Sequence, residues 1–349
     1  MALYNATIVP EYEVVHVIPI YFKVDDSVEV DNPLNMNGSR LEVSVFIVTA
    51  KRTALTNIKS ALNVAGFDMV KFVLDGYASA IAILDEQQKK FGSTVINMGA
   101  TTTEFITYKA NSLVHNGFIP VGSNHITNDL SVMLHTPPGA AEKIKLEYGS
   151  ITKDYTPNNS LGITKVKIPR IGDEEATSEV SLDYIQTIIH ARVEEDLVLV
   201  KNQLKKSGIL DNIGSGIVIT GGLSNLDGIR KLAEKVFDGI PISLSMPKNI
   251  KNGFINFDEP GLSTIMGLLL YSLGTNRSYQ LDSSKKLVKP IKKEIYREQK
   301  MDTNNMNPTQ PSQQPKQSTP NLKEDIQIKD NSTVLTPLDK NEKKKGPSR

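Results

Sequence analysis

A run of small residues between two strand-like segments is the first part of this chain that could do chemistry. Residues 94–108, T-V-I-N-M-G-A-T-T-T-E-F-I-T-Y, give a strand, a break at Gly99, the small residues Ala100, Thr101, Thr102 and Thr103, and a second strand. This pattern predicts a β-hairpin. A tip of glycine, alanine and threonine lets backbone N–H groups and hydroxyls approach an anion, because no bulky or acidic side chain intervenes. We interpret it as a phosphate-binding hairpin, with an ordinary threonine-rich turn as the alternative.

A second stretch joins a short apolar strand to two glycines. Residues 216–220 predict a buried strand, Gly221 and Gly222 follow directly, and residues 225–237 predict a helix. Glycines at this junction leave space where the helix N–H groups point, which favours an anion or a nucleotide. The pattern is weak by itself, and the chain contains neither a Walker A motif nor a G-x-G-x-x-G fingerprint.

Two further candidate features lie between these stretches. Gly122 stands where a strand at 113–121 meets a helix at 124–134, a junction at which free N–H groups collect. Glu142 and Lys145 lie three residues apart on one face of a predicted helix at 139–148. An ordinary salt-bridged surface pair is the alternative for these two residues.

The longest helix signal carries the remaining candidate. Residues 184–204 bury one apolar side and present His190, Arg192, Glu194 and Glu195 on the other. A solvated charged face is the default interpretation, and it predicts that Arg192 is free to pair with carboxylates.

The other elements complete an α/β pattern around these candidates. The sequence predicts strands within 11–25 and at 41–49 and 69–74, helices at 53–66, 76–84 and 262–273, and an irregular polar segment at 151–181. His16 lies alone in an apolar strand, and we interpret it as a packed core residue rather than a ligand.

Composition excludes several classes of protein. The 349 residues have a net charge of +1, 39% apolar residues and no cysteine. Basic residues form no long stripe in the first 275 positions, so nucleic acid is not an indicated partner. No apolar run approaches the ~18 residues that span a bilayer, and a signal-peptide pattern is missing at the start. Apolar residues become scarce towards the end, which predicts a disordered tail at 275–349.

Taken together, these motifs resemble the superfamily of ATPases shared by actin and the large heat-shock chaperones, and most closely its FtsA family of bacterial cell-division proteins. The resemblance is carried by H-V-I-P (16–19), N-P-L-N-M-N-G-S-R-L (32–41), N-M-G-A-T-T-T-E (97–104), V-G-S-N-H-I-T-N-D-L (121–130), A-E-K-I-K-L-E-Y-G (141–149), A-R-V-E-E (191–195), I-T-G-G (219–222) and M-G-L-L-L-Y (266–271).

The resemblance implies an actin-like ATPase (ribonuclease H-like) α/β fold that is incomplete at its N-terminus. Residues 1–50 would be the later part of the FtsA-specific subdomain, 51–90 a remnant of the first actin-like domain and 91–274 the second actin-like domain. It also implies ATP with Mg as the cofactor and a tether between FtsZ and the inner face of the cell membrane. Other division proteins and self-association are further implied partners.

Site residues follow from the same resemblance. The hairpin from Gly99 to Thr103, with Gly122 beside it, would face the phosphates, Glu142 and Lys145 the ribose and adenine, and Gly221 and Gly222 the adenosine side. Arg192 is similar to the basic position with which the family grips the acidic FtsZ tail.

Three departures from the family pattern shape what we expect. Nothing before His16 supplies the first D-x-G-T phosphate loop, and Asn97 replaces the aspartate that orders water around Mg²⁺. We therefore expect little stabilisation by millimolar Mg-ATP. No strong amphipathic membrane helix follows residue 275; the lysine-rich segment at 285–300 predicts only weak, salt-sensitive binding to anionic lipid.

Three functions are compatible with these residues. A cell-division scaffold of FtsA type with impaired ATP binding is the leading hypothesis. An ATPase or small-molecule kinase of the same superfamily is the alternative, although Asn97 argues against it because an enzyme needs a carboxylate for its metal or water. The third is a truncated gene product with residual folding only.

Overall fold

The computed structural model describes residues 6–68, 70–151, 164–210, 213–247, 257–274 and 278–288. Its strands are β1 (Tyr12–Val24), β2 (Leu41–Lys51), β3 (Ser93–Met98), β4 (Thr103–Lys109), β5 (Ser112–Ile119), β6 (Lys165–Arg170), β7 (Asp173–Ser181), β8 (Ile217–Thr220) and β9 (Ile242–Leu244). Its helices are α1 (Arg52–Val64), α2 (Asp75–Ile83), α3 (Glu86–Phe91), α4 (Ser123–Leu134), α5 (Pro138–Tyr148), α6 (Leu182–Lys206), α7 (Ile229–Val236) and α8 (Ser263–Ser272).

A five-stranded mixed sheet organises the chain, in the order β5-β4-β3-β8-β9. Strands β3, β4 and β5 form the predicted antiparallel meander, whereas β8 runs parallel to both β3 and β9. The central strands are nearly continuous apolar runs because both faces of the sheet are covered. Residues Ile96 and Ile219 pack with α4 to α7 on one face, and Val95 and Val218 pack with α2 and α8 on the other.

Helices α2 and α8 approach each other closely, as the small residues of α2 lead one to expect. A Cβ atom added at Gly267 would lie only 1.8 Å from the backbone oxygen of Ala78. Ala78 and Ala80 are completely buried. This packing holds α8 against the far side of the sheet, directly behind the hairpin strands.

The disordered tail predicted at 275–349 includes residues that are packed in the structure. Leu281 exchanges backbone hydrogen bonds with Val17 of β1 at 3.0 and 3.2 Å, and Gln280 is fully buried against His16 and Tyr77. Residues 278–288 are therefore a packed strap across β1, and the tail assignment is wrong for them. From residue 289 onward the tail and most of the lysine-rich segment at 285–300 lie outside the described residues.

Three local predictions also differ from the structure. Residues 70–74 form no strand; the amide of Leu74 donates instead to Nε2 of His16 at 3.1 Å. Strands β6 and β7 form a hairpin in the segment predicted to be irregular, since Val166 and Ile168 alternate into the core. The helix predicted from residue 225 begins at Ile229, after a 3-10 turn at Gly222–Asn225.

Candidate functional site

The two glycine-containing stretches meet at one edge of the sheet. Strands β3 and β8 are parallel, with Asn97 opposite Thr220, so the hairpin tip and Gly221 both follow the carboxyl ends of neighbouring strands. In α/β sheets, ligands bind at such edges. Gly221 has φ +93°, and a Cβ atom there would lie 2.4 Å from the carbonyl oxygen of Met98. Gly222 is exposed, with open space around it.

The hairpin tip has carbonyls that accept hydrogen bonds within the protein and two amides that do not donate to the described backbone. Its turn is closed by the amide of Gly99, which donates to the carbonyl of Thr102 at 3.0 Å. The carbonyls of Gly99 and Ala100 accept from Ser123 and Asn124 at 3.0 and 2.8 Å. Ala100 and Thr101 are exposed, and their amides have no backbone acceptor within the described chain. The tip therefore leaves two N–H groups available to an anion, while the carbonyls of Gly99, Ala100 and Thr102 are occupied.

Gly122 supports the hairpin rather than contributing free donors. Its amide donates to Nδ1 of His125 at 3.2 Å, and the amide of His125 donates to the carbonyl of Gly122 at 3.0 Å. A Cβ atom at Gly122 would lie 2.7 Å from the carbonyl carbon and oxygen of Ala100. The expectation of free N–H groups at this helix N-terminus is therefore wrong, because the first turn of α4 is bonded to the hairpin.

Lys145 and Glu142 join α5 to that same first turn. The Lys145 ammonium lies 2.7 Å from Glu142 and donates to Thr127 at 3.0 Å and to the carbonyl of Ser123 at 3.3 Å. Burial opposes ionisation of Glu142, but hydrogen bonds from Lys145 and Thr127 lower its pKa. Only 7% of the Lys145 side chain is exposed, against 42% for Glu142. Glu142 can therefore reach a ligand hydroxyl, whereas the donors of Lys145 are used within the protein.

Asp196 lies beneath the hairpin, although no motif in the sequence pointed to it. The hydroxyl of Thr103 donates to Oδ2 of Asp196 at 2.6 Å. Asp196 is 1% exposed, its Oδ1 has no partner among the described residues, and burial raises its pKa to about 6. Helical periodicity could have found this residue, since it falls on the apolar side of α6 beside Val193 and Leu197.

Comparison with known proteins places the chain in a family. A family model described as "Cell division protein FtsA" matches residues 94–267, and one described as "SHS2 domain inserted in FTSA" matches residues 1–49. The chain is 34% identical to the cell division protein FtsA of Helicobacter pylori (strain 26695) over 277 residues, which are 77% of this chain and 55% of that protein. The chain belongs to the FtsA family. It thus spans about half the length of this curated relative.

Further matches agree on the family and the fold. FtsA of Pseudomonas aeruginosa is 32% identical over 263 residues, covering 75% of this chain and 62% of that protein. The structure of MreB5 of Spiroplasma citri bound to ADP gives a TM-score of 0.52 at 16% identity, over 64% of this chain and 65% of that one. A PilM–PilN type IV pilus biogenesis complex gives 0.52 at 16% identity, over 77% and 69%. These neighbours confirm the predicted actin-like fold.

In this FtsA-family chain, Asn97 serves as a structural link. Its side-chain amide donates to Thr264 of α8 at 3.2 Å, and its Oδ1 lies 2.6 Å from the position a Cβ atom at Gly221 would take. The exposed tip residues Ala100 and Thr101 have amides without a backbone acceptor in the part of the chain that the structure describes, and such donors suit a phosphate group. The described residues contain no cluster of three or more His, Cys, Asp or Glu side chains that could hold a metal ion.

Arg192 is not free, contrary to the prediction from the charged face of α6. Its Nε and one terminal nitrogen donate to the two oxygens of Asp129 on α4 at 2.6 and 3.0 Å. Its other terminal nitrogen donates to Glu195 at 2.5 Å. The expected free guanidinium is thus engaged in two ion pairs, although its role in partner binding stays a prediction.

The carboxyl groups of Glu104 and Asp75 form a pair beside the tip. Burial, together with the neighbouring carboxyl of Asp75, raises the pKa of Glu104 well above its usual range. Thr102 donates weakly to Glu104 at 3.4 Å.

Across the part of the chain that the structure describes, no helix is both long and apolar enough to cross a bilayer.

Proposed function

We propose that this chain is a cell-division scaffold of FtsA type that binds the acidic C-terminal tail of FtsZ at the cytoplasmic face of the membrane and helps to recruit other division proteins. Membership of the FtsA family over residues 94–267 carries this proposal. Self-association and weak peripheral contact with the inner membrane surface belong to the same proposal. The proposed contact for the FtsZ tail is the guanidinium of Arg192, 27% of whose side chain is exposed on α6.

The hairpin is the proposed phosphate site of this scaffold. The amides of Ala100 and Thr101 would donate to phosphate oxygens of ATP, and the carbonyls of the tip are kept away by α4. Bound Mg²⁺ would neutralise phosphate charge, but Asn97 brings no negative charge to it. Glu142 would meet the ribose, while Gly221 and Gly222 would border the adenosine. We propose weak ATP binding, because few donors are present and each charged hydrogen bond contributes only about 1.5–3 kcal/mol.

An actin-superfamily ATPase or small-molecule kinase is the second candidate, and the Asp75–Glu104 pair is the observation that favours it. A carboxyl group beside a phosphate hairpin can orient a water molecule or a substrate hydroxyl. Turnover of Mg-ATP that is abolished by Asp75→Asn would support this candidate over the scaffold.

A peptide titration tests the scaffold. We expect Arg192→Glu to weaken binding of an FtsZ tail peptide at least about tenfold, which corresponds to 1.4 kcal/mol. Arg230→Glu is the matched control, since it reverses the charge of an exposed arginine that pairs with Glu234 on α7. Equal affinity of the wild type and Arg192→Glu would refute the assignment of the tail site.

A thermal-shift titration tests the phosphate site. We expect at most a small stabilisation, and that only at millimolar ATP, because a site stabilises the fold appreciably only when the ligand exceeds its Kd. Thr101→Glu should abolish even this shift, since it places a carboxylate at the exposed tip. A clear rise in Tm at micromolar Mg-ATP would contradict weak binding. The same rise in Tm in Thr101→Glu as in the wild type would contradict the placement of the phosphate site at the hairpin tip.

A further inference from the structure

The proposed peptide-binding arginine already has a carboxylate ligand from another helix. Two parallel hydrogen bonds join Arg192 to both oxygens of Asp129, and a third joins it to Glu195. A two-pronged contact of this kind is the strongest that a guanidinium forms with a carboxylate. Asp129 therefore presents the same chemical group that an acidic peptide would bring to Arg192.

The Arg192–Asp129 pair lies near the surface, where Arg192 can exchange one carboxylate partner for another. The side chains of Arg192 and Asp129 are 27% and 21% exposed, and that of Glu195 is 54% exposed. Solvent-accessible ion pairs have small net strength compared with the penalty for isolating a buried charge. An incoming carboxylate could replace Asp129 while Glu195 stays bound, and Asp129 would then turn towards water.

The charges around Arg192 favour this exchange of partners. Asp129 and Glu195 both pair with Arg192, so two carboxylates surround one guanidinium. With Arg192 closed onto Asp129, the surface presents an excess of acid, which repels an acidic segment. Release of Arg192 from Asp129 provides a cation for such a segment.

We propose that Asp129 is an internal competitor that withholds Arg192 from an acidic partner segment and so sets how tightly that segment binds. This inference rests on the proposed function, which places the segment at Arg192. When a binding group is available for only a fraction of the time, the apparent affinity falls by that fraction. A pair that is closed about nine-tenths of the time lowers the affinity roughly tenfold, and removal of the Asp129 charge restores it.

The test measures binding of an FtsZ tail peptide to the full chain by fluorescence anisotropy at low salt. Asp129→Asn should bind the peptide about three- to tenfold more tightly than the wild type. Asp129→Ser is a second charge-free variant with the same expected direction. Asp238→Asn is the matched control, because it removes one negative charge from an exposed position after α7 and should change affinity less than about twofold. The double variant Asp129→Asn, Arg192→Glu should show no gain.

The outcomes separate this inference from the proposed function. If Arg192→Glu loses binding but both Asp129 variants bind the peptide with wild-type affinity, Asp129 does not compete for Arg192. That result would overturn this inference and leave the proposed tail site at Arg192 in place. Equal affinity in every variant overturns the tail site itself. Thermal unfolding is recorded for each protein. A lower Tm in the Asp129 variants without tighter peptide binding would show that the pair merely ties α4 to α6, and would contradict the proposal.

Discussion

The hydroxyl of Thr103 donates a 2.6 Å hydrogen bond to the carboxylate of Asp196, 93 residues later in the chain. Thr103 begins the second strand of the β3–β4 hairpin, and Asp196 projects from the buried side of α6. Both residues are inaccessible to solvent. The base of the hairpin is therefore fixed from below by α6, and its tip is fixed from the side by the first turn of α4.

Asp196→Asn should remove a pH-dependent loss of stability. The folded-state pKa of Asp196 is raised to about 6, so its contribution to stability is fully present below pH 4 and is lost as the pH rises to 6. Relative to Asp196→Asn, the wild type should therefore lose up to about 3 kcal/mol of unfolding free energy across this interval. Urea unfolding of both proteins from pH 4 to pH 7 measures the difference. A constant difference would show that Asp196 is ionised normally.

Gly122→Ala should disturb the hairpin through its backbone. The added methyl group would meet the carbonyl of Ala100 at 2.7 Å, and a backbone neighbour cannot move aside as a flexible side chain can. We expect a loss of about 1–3 kcal/mol. Gly139→Ala on α5 is the control, because nothing lies within 4 Å of its Cβ position and alanine favours a helix by up to about 1 kcal/mol. Chemical unfolding distinguishes the two, and equal stabilities would contradict the close approach.

Sequence patterns predicted the strands and helices of the site better than the hydrogen bonds and ion pairs between them. The hairpin, its neighbouring helices and the strand before Gly221 are local signals, because strand alternation and glycine breaks extend over only a few residues. The occupied N-terminus of α4 was not predictable from the glycine at its start, since the acceptors belong to the hairpin tip. The Arg192–Asp129 pair was missed for a similar reason, as its partners lie 63 residues apart.

The strap at 278–288 shows the same limit over a longer range. Its polar sequence predicts disorder when taken alone. Its order comes instead from Leu281 pairing with Val17 and from Gln280 binding His16, 264 residues earlier. By contrast, the prediction that His16 is a packed residue is confirmed, because apolar neighbours on β1 are enough to indicate burial.

His16 should make the fold sensitive to mild acid. Burial lowers its pKa to about 4, and its Nε2 already accepts from the amide of Leu74, so protonation would break that bond. Its contribution to stability is therefore lost as the pH falls from about 6.5 to 4. Relative to His16→Gln, the wild type should lose up to about 3 kcal/mol in this window.

Tyr77→Phe provides the control for His16. It removes the hydroxyl that donates to Gln280 at 2.7 Å but keeps the titrating imidazole. We expect it to lower stability by about 1 kcal/mol at every pH and to retain the acid-dependent loss. If His16→Gln keeps the same pH profile as the wild type, the loss originates elsewhere in the chain.

Lys145→Met should loosen the support of the hairpin. Methionine fills the buried space but removes the hydrogen bonds that the ammonium donates to Thr127 and to the carbonyl of Ser123, and a hydrogen bond from a charged group contributes about 1.5–3 kcal/mol. Glu142 can rehydrate, since it is 42% exposed. Lys143→Met removes the same charge from an exposed position on α5 and should be nearly neutral. Hydrogen exchange at the amides of Ser123 and Asn124, which bind the hairpin tip, should accelerate only in Lys145→Met. Equal exchange rates in both variants would contradict a role of α5 in supporting the hairpin.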